Sequence, residues 1–208
     1  MEAFRKSPVN NTIILVNILV FLAVEISGGS LDTENMISWG AMYVPLCLER
    51  QEYYRLFTSM FLHFGMAHLV NNMLVLYVLG DHLERAMGKL AYLFLYLAGG
   101  FGGNLISFLV DIQRENYAVS AGASGAVFAV MGGLFYVILI NRGKLEDFTT
   151  RKLLIVAGLA LYFGFTSTGV DNAAHVGGLL CGFLSAVLLY RRKNLSKQRS
   201  REKEEAVR

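Results

Sequence analysis

Charged residues are scarce in this sequence, and their scarcity argues against an ordinary soluble fold. Only 17% of the 208 residues are Asp, Glu, Lys or Arg, while 54% are hydrophobic. The mean hydropathy is +0.46. Such values are too apolar for a typical soluble domain of this length. The composition therefore predicts a membrane protein.

The few charges are clustered, so that six long stretches of the chain contain none. A membrane-spanning helix needs roughly 17–25 apolar residues. The uncharged stretches have 18 to 26 residues and cover 7–24, 56–80, 90–110, 116–141, 153–170 and 172–190. We therefore predict an all-α, polytopic membrane protein with six transmembrane helices. A shorter uncharged run, 35–48, contains Pro45 and is predicted to be an interfacial or re-entrant part of the first outer loop.

Basic residues predict the orientation of these spans. With six spans, 16 of the 19 Lys and Arg residues fall on the side that holds both termini. The other three, Arg50, Arg55 and Arg114, fall on the opposite side. The positive-inside rule then places both termini in the cytoplasm. The first span lacks a small-residue cleavage site, and no Arg- and Ser-rich transit sequence precedes it, so we expect a retained helix.

We predict one membrane domain over residues 1–208, with a helical core at about 10–191 and a basic cytoplasmic tail at 192–208. The tail accounts for the net charge of +3. It could contact anionic lipids, or it could be a solvated segment that fixes the topology. Cysteine is also rare. Cys47 lies in the outer loop and Cys181 lies within the sixth span, so we expect two free packing residues and no disulfide.

Polar residues within the spans are few, and each is costly in hydrocarbon, so each one suggests a function. His68 and Asn72 are four residues apart and share one face of the second helix. Ser124 opens one apolar stretch and His175 opens another. All three helices run inward in the predicted topology. The four side chains are therefore expected at a similar depth, toward the outer side.

These residue types together suit nucleophilic acyl transfer. A serine hydroxyl is a weak nucleophile until a base such as neutral imidazole removes its proton. The tetrahedral oxyanion could be stabilised by the Asn72 amide, a His68 ring nitrogen and the Ser124 backbone N–H. No third acid is obvious. Asp171 precedes His175 by four residues and could touch it, but it is better explained as the cap of the sixth helix.

Three motifs resemble those of the rhomboid intramembrane serine proteases, in the order found in that family. The segment 122–125, Gly-Ala-Ser-Gly, resembles the Gly-x-Ser-Gly motif around the family's nucleophile. That motif alone is weak in a chain with 21 glycines, and it is not the α/β-hydrolase elbow because no glycine stands two residues after Ser124. The segment 174–178, with Gly182 beyond it, resembles the family's histidine helix. Gly178 and Gly182 there form a small-xxx-small face for close helix packing.

The other matches lie earlier in the chain. His63, His68 and Asn72 resemble the His-x4-His-x3-Asn motif of the second helix. Residues 40–41 and the Tyr54-Arg55 pair resemble the first outer loop. The family usually has Trp where Tyr54 stands, and an aromatic residue there leaves the folding role of Arg55 intact.

The resemblance implies a bacterial-type six-helix core and a catalytic dyad, with Ser124 as nucleophile and His175 as general base and then general acid. It implies His68 and Asn72 as oxyanion donors. The supporting residues would be Gly122, Gly125, Phe128, Gly178, Gly182 and Arg55. Phe128 stands where the family often has Tyr, and its ring is expected to pack against His175 within about 4.0–4.5 Å.

The implied substrates are other transmembrane proteins, cleaved in or near a transmembrane segment on the outer side of a bacterial cell membrane. The expected partners are these substrates and membrane lipids. We expect no cofactor, no metal and no nucleic acid, because the four histidines lack a supporting acidic or thiolate set. Two alternatives remain: a non-proteolytic rhomboid-like protein that binds client helices, and a small transporter. The transporter interpretation requires charged residues deep in the spans, and only Glu25, near an outer end, is found.

Overall fold

A computed structural model describes residues 7–115, 117–142, 144–145, 148–149, 151–152, 154–156, 158 and 171–190. Most of the predicted fifth span, 153–170, and the whole basic tail, 192–208, lie outside the described residues. The described part is mostly helical, as the uncharged stretches predict. It adds one two-stranded antiparallel hairpin that the sequence analysis did not anticipate.

The elements with described bounds follow one another along the chain. They are α1 (Pro8–Ser27), α2 (Thr33–Ser38), α3 (Val44–Arg50), α4 (Arg55–Thr58), a 3₁₀ turn (Ser59–Phe61), α5 (Met66–Val75), a π-helical turn (Leu76–Gly80), α6 (Asp81–Met87), α7 (Lys89–Arg114), α8 (Ser124–Ile140), β1 (Lys144–Leu145), β2 (Phe148–Thr149) and α9 (Asn172–Leu189).

Three described helices, α1, α7 and α9, are long and apolar enough to cross a membrane. They coincide with the first, third and sixth uncharged stretches. A fourth candidate span is a bent pair, Arg55–Phe61 with Met66–Met87, whose two arms meet at 88°. Helix α8 is apolar but has only 17 residues. The apolar helices agree with an integral membrane protein, and the count of six spans stays a prediction.

The second uncharged stretch, 56–80, is not one continuous helix. The chain leaves the helical path between the 3₁₀ turn and α5, where Gly65 has φ +80°, a backbone conformation that side-chain-bearing residues rarely adopt. The Gly65 N–H donates to the Ser30 hydroxyl at 3.2 Å, which anchors this turn to the segment after α1. The break places His68 in the first turn of α5, next to the connecting segment.

The loop region between α1 and α5 is organised around a buried arginine. The Arg55 side chain donates to the carbonyl oxygens of Ile37 at 2.7 Å and Ala41 at 2.9 Å, and it forms an ion pair with Glu52. The hydrogen bond from Arg55 lowers the pKa of the Glu52 carboxyl. Because the folded pKa is depressed, the pair is present at neutral pH and is lost only as the pH falls into the acid range. Arg55 thus joins three parts of the loop.

Helices α7, α8 and α9 pack with their backbones in contact, because glycines stand at the crossing points. A Cβ atom placed on Gly178 would lie 2.0 Å from the Gly125 carbonyl oxygen, and one on Gly182 would lie 2.0 Å from the Ala129 carbonyl oxygen. A Cβ atom on Gly103 of α7 would lie 2.7 Å from the Ala174 carbonyl oxygen. Any larger residue at these positions would force the helices apart.

We expect Gly178→Ala to lower the unfolding midpoint in detergent, because overpacking of a close helix contact costs about 1–3 kcal/mol. Gly125→Ala is the matched control. A Cβ atom there meets its nearest neighbour at 3.5 Å, an ordinary contact. Alanine also favours a helix over glycine by about 1 kcal/mol. Equal midpoints for the two variants would contradict this assignment.

Candidate active site

Helix α5 presents two polar side chains at the inner face of the molecule. His68 and Asn72 lie one turn apart, as their spacing predicts. Asn72 is buried, with 7% of its surface exposed, and its Nδ2 atom has no hydrogen-bond partner among the described residues. A buried amide donor without a partner is costly to a fold. Asn72 therefore carries an unused donor at this face.

The segment before Ser124 is not helical, although it belongs to an uncharged stretch that was counted as one span. Ser120 pairs with Met42, which lies between α2 and α3, through two backbone hydrogen bonds, at 2.8 and 3.0 Å. The Gly122 N–H donates to the Ser59 carbonyl at 3.0 Å. These bonds hold residues 119–123, the nucleophile loop, against two earlier parts of the chain. Helix α8 therefore starts only at Ser124.

The absence of a side chain at Gly122 lets His68 approach the nucleophile loop. A Cβ atom on Gly122 would lie 2.7 Å from His68 Cε1 and 3.5 Å from Ser124 Oγ. The His68 ring and the Ser124 hydroxyl thus lie on the same side of Gly122, around one small space. A ring nitrogen of His68, on α5, therefore lies near Ser124, the first residue of α8.

His175 packs against α8 at a position one turn after Ser124. Its ring stacks on the Phe128 ring, with a centroid distance of 4.2 Å and an interplanar angle of 10°. Phe128 follows Ser124 by four residues, so the two share one face of α8. The imidazole is therefore held on the helix face that bears Ser124. His175 is 93% buried, and Ser124 is half-buried.

The start of α9 is fixed by Asp171. Its Oδ1 atom accepts the Ala174 N–H at 2.8 Å, which confirms the interpretation of Asp171 as a helix cap. Its Oδ2 atom accepts a hydrogen bond from the Ser107 hydroxyl of α7 at 2.5 Å. One carboxylate oxygen therefore caps α9, and the other joins α9 to α7. The helix bearing His175 is anchored one turn before the histidine.

The Ser124 backbone N–H is free of the helix's own hydrogen-bond ladder. Ser124 is the first residue of α8 after its cap residue Ala123, and the first N–H groups of a helix have no intrahelical acceptor. This N–H and the His68 ring lie beside Ser124, and the Asn72 amide lies one turn further along α5 on the same face as His68. The arrangement can support attack by a hydroxyl, proton transfer to an imidazole and stabilisation of an oxyanion.

The sequence analysis did not identify the groups that hold the nucleophile loop. Met42, Ser59 and Ser120 act through backbone atoms, which leave no signature in residue type. His63 appeared only as part of the motif on the second helix. In the structure its Nε2 atom accepts the Ala123 N–H at 3.4 Å, and it is almost fully buried.

We expect Phe128→Ala to reduce activity, because the stacked ring that supports His175 is lost. Some loss of stability from the resulting cavity is also expected. Phe128→Tyr should retain activity, since a phenol preserves the stacked ring. The measurement is kcat for cleavage of a single-span substrate, together with the unfolding midpoint. Full activity of Phe128→Ala would rule out a bracing role for the ring.

Most of the chain is similar to one known protein family. A family model described as the Rhomboid domain matches residues 50–192. The chain is 39% identical over 176 residues to rhomboid protease GluP of Bacillus subtilis (strain 168), an alignment that covers 85% of this chain and 34% of that protein. It is 38% identical over 154 residues to RHOMBOID-like protein 4 of Arabidopsis thaliana, covering 72% of this chain and 37% of that protein.

A third relative is similar over most of its own length. Rhomboid protease AarA of Providencia stuartii is 32% identical over 199 residues, covering 85% of this chain and 70% of that protein. The alignments with the first two relatives, by contrast, span only about a third of those longer proteins.

Proposed function

This chain belongs to the rhomboid family, and from that premise we propose that it is an intramembrane serine endopeptidase with Ser124 and His175 as its catalytic dyad. The observation that carries the proposal is the stacking of the His175 ring on the Phe128 ring, with a centroid distance of 4.2 Å, one turn after Ser124 on α8. His175 of α9, a base-type residue, thus packs on the face of α8 that bears Ser124, a nucleophile-type residue.

In this mechanism the Ser124 Oγ attacks the carbonyl carbon of the scissile peptide bond, and His175 accepts the hydroxyl proton. The C–N bond then breaks as His175 returns the proton to the leaving amine. A water molecule, deprotonated by His175, then attacks the resulting ester. The bond between the acyl carbon and Ser124 Oγ breaks, His175 returns the proton to Oγ, and the acid product leaves. Both tetrahedral steps place negative charge on the former carbonyl oxygen. The Ser124 N–H, the Asn72 amide and His68 are the proposed donors to that oxygen.

The proposed substrates are transmembrane segments of other membrane proteins. The backbone hydrogen bonds of an intact helix protect its carbonyl groups, so a substrate must unwind locally before attack. Small or helix-weakening residues near the outer membrane boundary would make that unwinding easier. Membrane lipids are the surrounding medium, and no cofactor is required by the proposed chemistry.

The proposal extends to the placement of the chain in the membrane. We propose one domain over residues 1–208, with six spans, both termini in the cytoplasm of a bacterial cell and the dyad toward the outer side. The basic residue distribution supports this orientation. The resemblance to rhomboid proteases supports the bacterial-type arrangement of spans.

The test uses the purified full chain in lipid vesicles with a single-span substrate that bears small residues near its outer boundary. Wild type should release two fragments, and mass spectrometry should place the cut in or near the transmembrane segment. Ser124→Ala should release none. If wild type binds the substrate but, like Ser124→Ala, releases no fragment, the proposal fails. The chain would then be a relative that binds client helices without cleaving them.

A further inference from the structure

His63 has no role in the proposed proton transfers, yet it is one of the least exposed polar residues of the described chain. It lies at the break between the 3₁₀ turn and α5, and only 1% of its surface is exposed. A buried imidazole loses its hydrogen bonds to water, which costs free energy unless contacts within the protein replace them. Two of the contacts that His63 makes lead to the candidate active site.

The first contact is with the nucleophile loop. The Ala123 N–H donates to His63 Nε2 at 3.4 Å. A ring nitrogen can accept only when it carries no proton, so the neutral ring must hold its proton on Nδ1. Ala123 is the cap residue of α8 and directly precedes Ser124. The bond therefore fixes the peptide group next to the one whose N–H is proposed to bind the oxyanion.

The second contact is with His68. The His63 and His68 rings meet edge to face, with centroids 5.2 Å apart and an interplanar angle of 73°. His68 in turn packs against Gly122 beside Ser124. The edge of one ring against the face of the other restricts how the His68 ring can rotate. His63 thus touches both sides of the proposed oxyanion site.

We propose that His63 is a positioning residue that orients the two oxyanion donors on either side of it, the Ser124 backbone N–H and the His68 ring. This inference rests on the proposed function and adds a role for a residue that transfers no proton. A displacement of about 1 Å at a catalytic group can cost about 100-fold in rate. Loss of the His63 contacts should therefore lower kcat and leave substrate affinity unchanged.

Ser59 and Met42 also hold the nucleophile loop, but they do so through backbone hydrogen bonds, so a side-chain substitution cannot remove these contacts. His63 can be changed selectively. In His63→Gln the side-chain amide oxygen reaches the place of Nε2 and can accept the Ala123 N–H. In His63→Asn the amide oxygen is one bond shorter and cannot reach it. In His63→Leu the volume is kept and the acceptor is lost.

The experiment measures kcat and KM for the full chain in lipid vesicles, with the unfolding midpoint of each variant. We expect His63→Leu and His63→Asn to lower kcat about 10–100-fold with KM within about twofold of wild type. His63→Gln should recover most of the rate. A purely structural residue would instead lower activity in proportion to the loss of stability, with no recovery by glutamine.

Hydrogen exchange at the Ala123 amide supplies a readout that does not depend on catalysis. Protection should be retained in His63→Gln and lost in His63→Leu and His63→Asn. If His63→Leu does not fold, His63→Asn carries the comparison. The inference is overturned if the asparagine or leucine variant keeps wild-type kcat and Ala123 protection, or if glutamine is as impaired as asparagine.

The two proposals fail differently. An inert wild type that equals Ser124→Ala overturns the protease assignment and the role of His63 in it. An active wild type with unaffected His63 variants overturns only the role of His63.

Discussion

Ser124→Ala and His175→Ala are each expected to abolish turnover of a transmembrane substrate, while both proteins still fold. The hydroxyl cannot attack without a base, and the base has nothing to activate without the hydroxyl, so the two act as one unit. Loss of either member of such a unit costs at least about 10⁴-fold in kcat. The double variant should be no less active than either single variant, since the effects of a functional unit do not add.

The matched control is Ser185→Ala, which makes the same change on α9 at a buried serine outside the candidate site. It should cleave at close to the wild-type rate. Fragment release is followed by electrophoresis and mass spectrometry, and folding is followed by the unfolding midpoint in detergent. Normal cleavage by Ser124→Ala or by His175→Ala would eliminate the dyad.

Asn72→Ala is expected to lower kcat by about 10²–10³ while leaving substrate affinity nearly unchanged. A preorganised donor in a water-poor site acts on charge that develops only in the transition state. The Asn72 Nδ2 atom is buried and has no hydrogen-bond partner within the described part of the chain, so it is available for that charge. Separate determination of kcat and KM distinguishes this role from substrate binding.

The stability of Asn72→Ala gives a second check. Removing a buried donor that lacks a partner removes a cost of about 1–3 kcal/mol, which offsets the cavity left by the side chain. We therefore expect an unfolding midpoint close to that of wild type. Asn71→Ala is the control, because Asn71 is the exposed neighbour on another face of α5 and should keep full activity. A variant at Asn72 that loses affinity but keeps kcat would assign the residue to substrate binding.

The spacing of charges was enough to predict most of the apolar helices. The uncharged stretches 7–24, 90–110 and 172–190 correspond closely to α1, α7 and α9, because a charge is rarely tolerated within a span. The pairing of His68 with Asn72 on one face also follows from their spacing alone. The fifth stretch lies mostly outside the described residues and stays a prediction.

The sequence did not predict where two of the stretches depart from a straight helix. In the second, the bend depends on the single backbone conformation of Gly65, and hydropathy is continuous across it. In the fourth, residues before Ser124 pair with Met42 and Ser59 through backbone bonds, which any residue type could make. Both departures lie beside the candidate site. Hydropathy reports burial, and it carries no information on backbone pairing between distant segments.

The packing of His175 on Phe128 was expected from the family resemblance and not from spacing. Nothing in the local pattern of α8 or α9 indicates which residues of the two helices will meet. Their relative position depends on the close contacts at Gly178 and Gly182, where the backbones touch. The distance between Ser124 and His175, the proposed nucleophile and base, is therefore determined by the packing of α8 against α9.

The placement of Ser124 and His175 on successive described helices also has a consequence for biosynthesis. The nucleophile is synthesised 51 residues before the base. At roughly 5–20 residues per second, this leaves about 3–10 s in which the hydroxyl has no imidazole beside it. Only the docking of α9 completes the dyad. Under the proposed function, a partly inserted chain is therefore inactive, and neighbouring membrane proteins are not cleaved until α9 has docked.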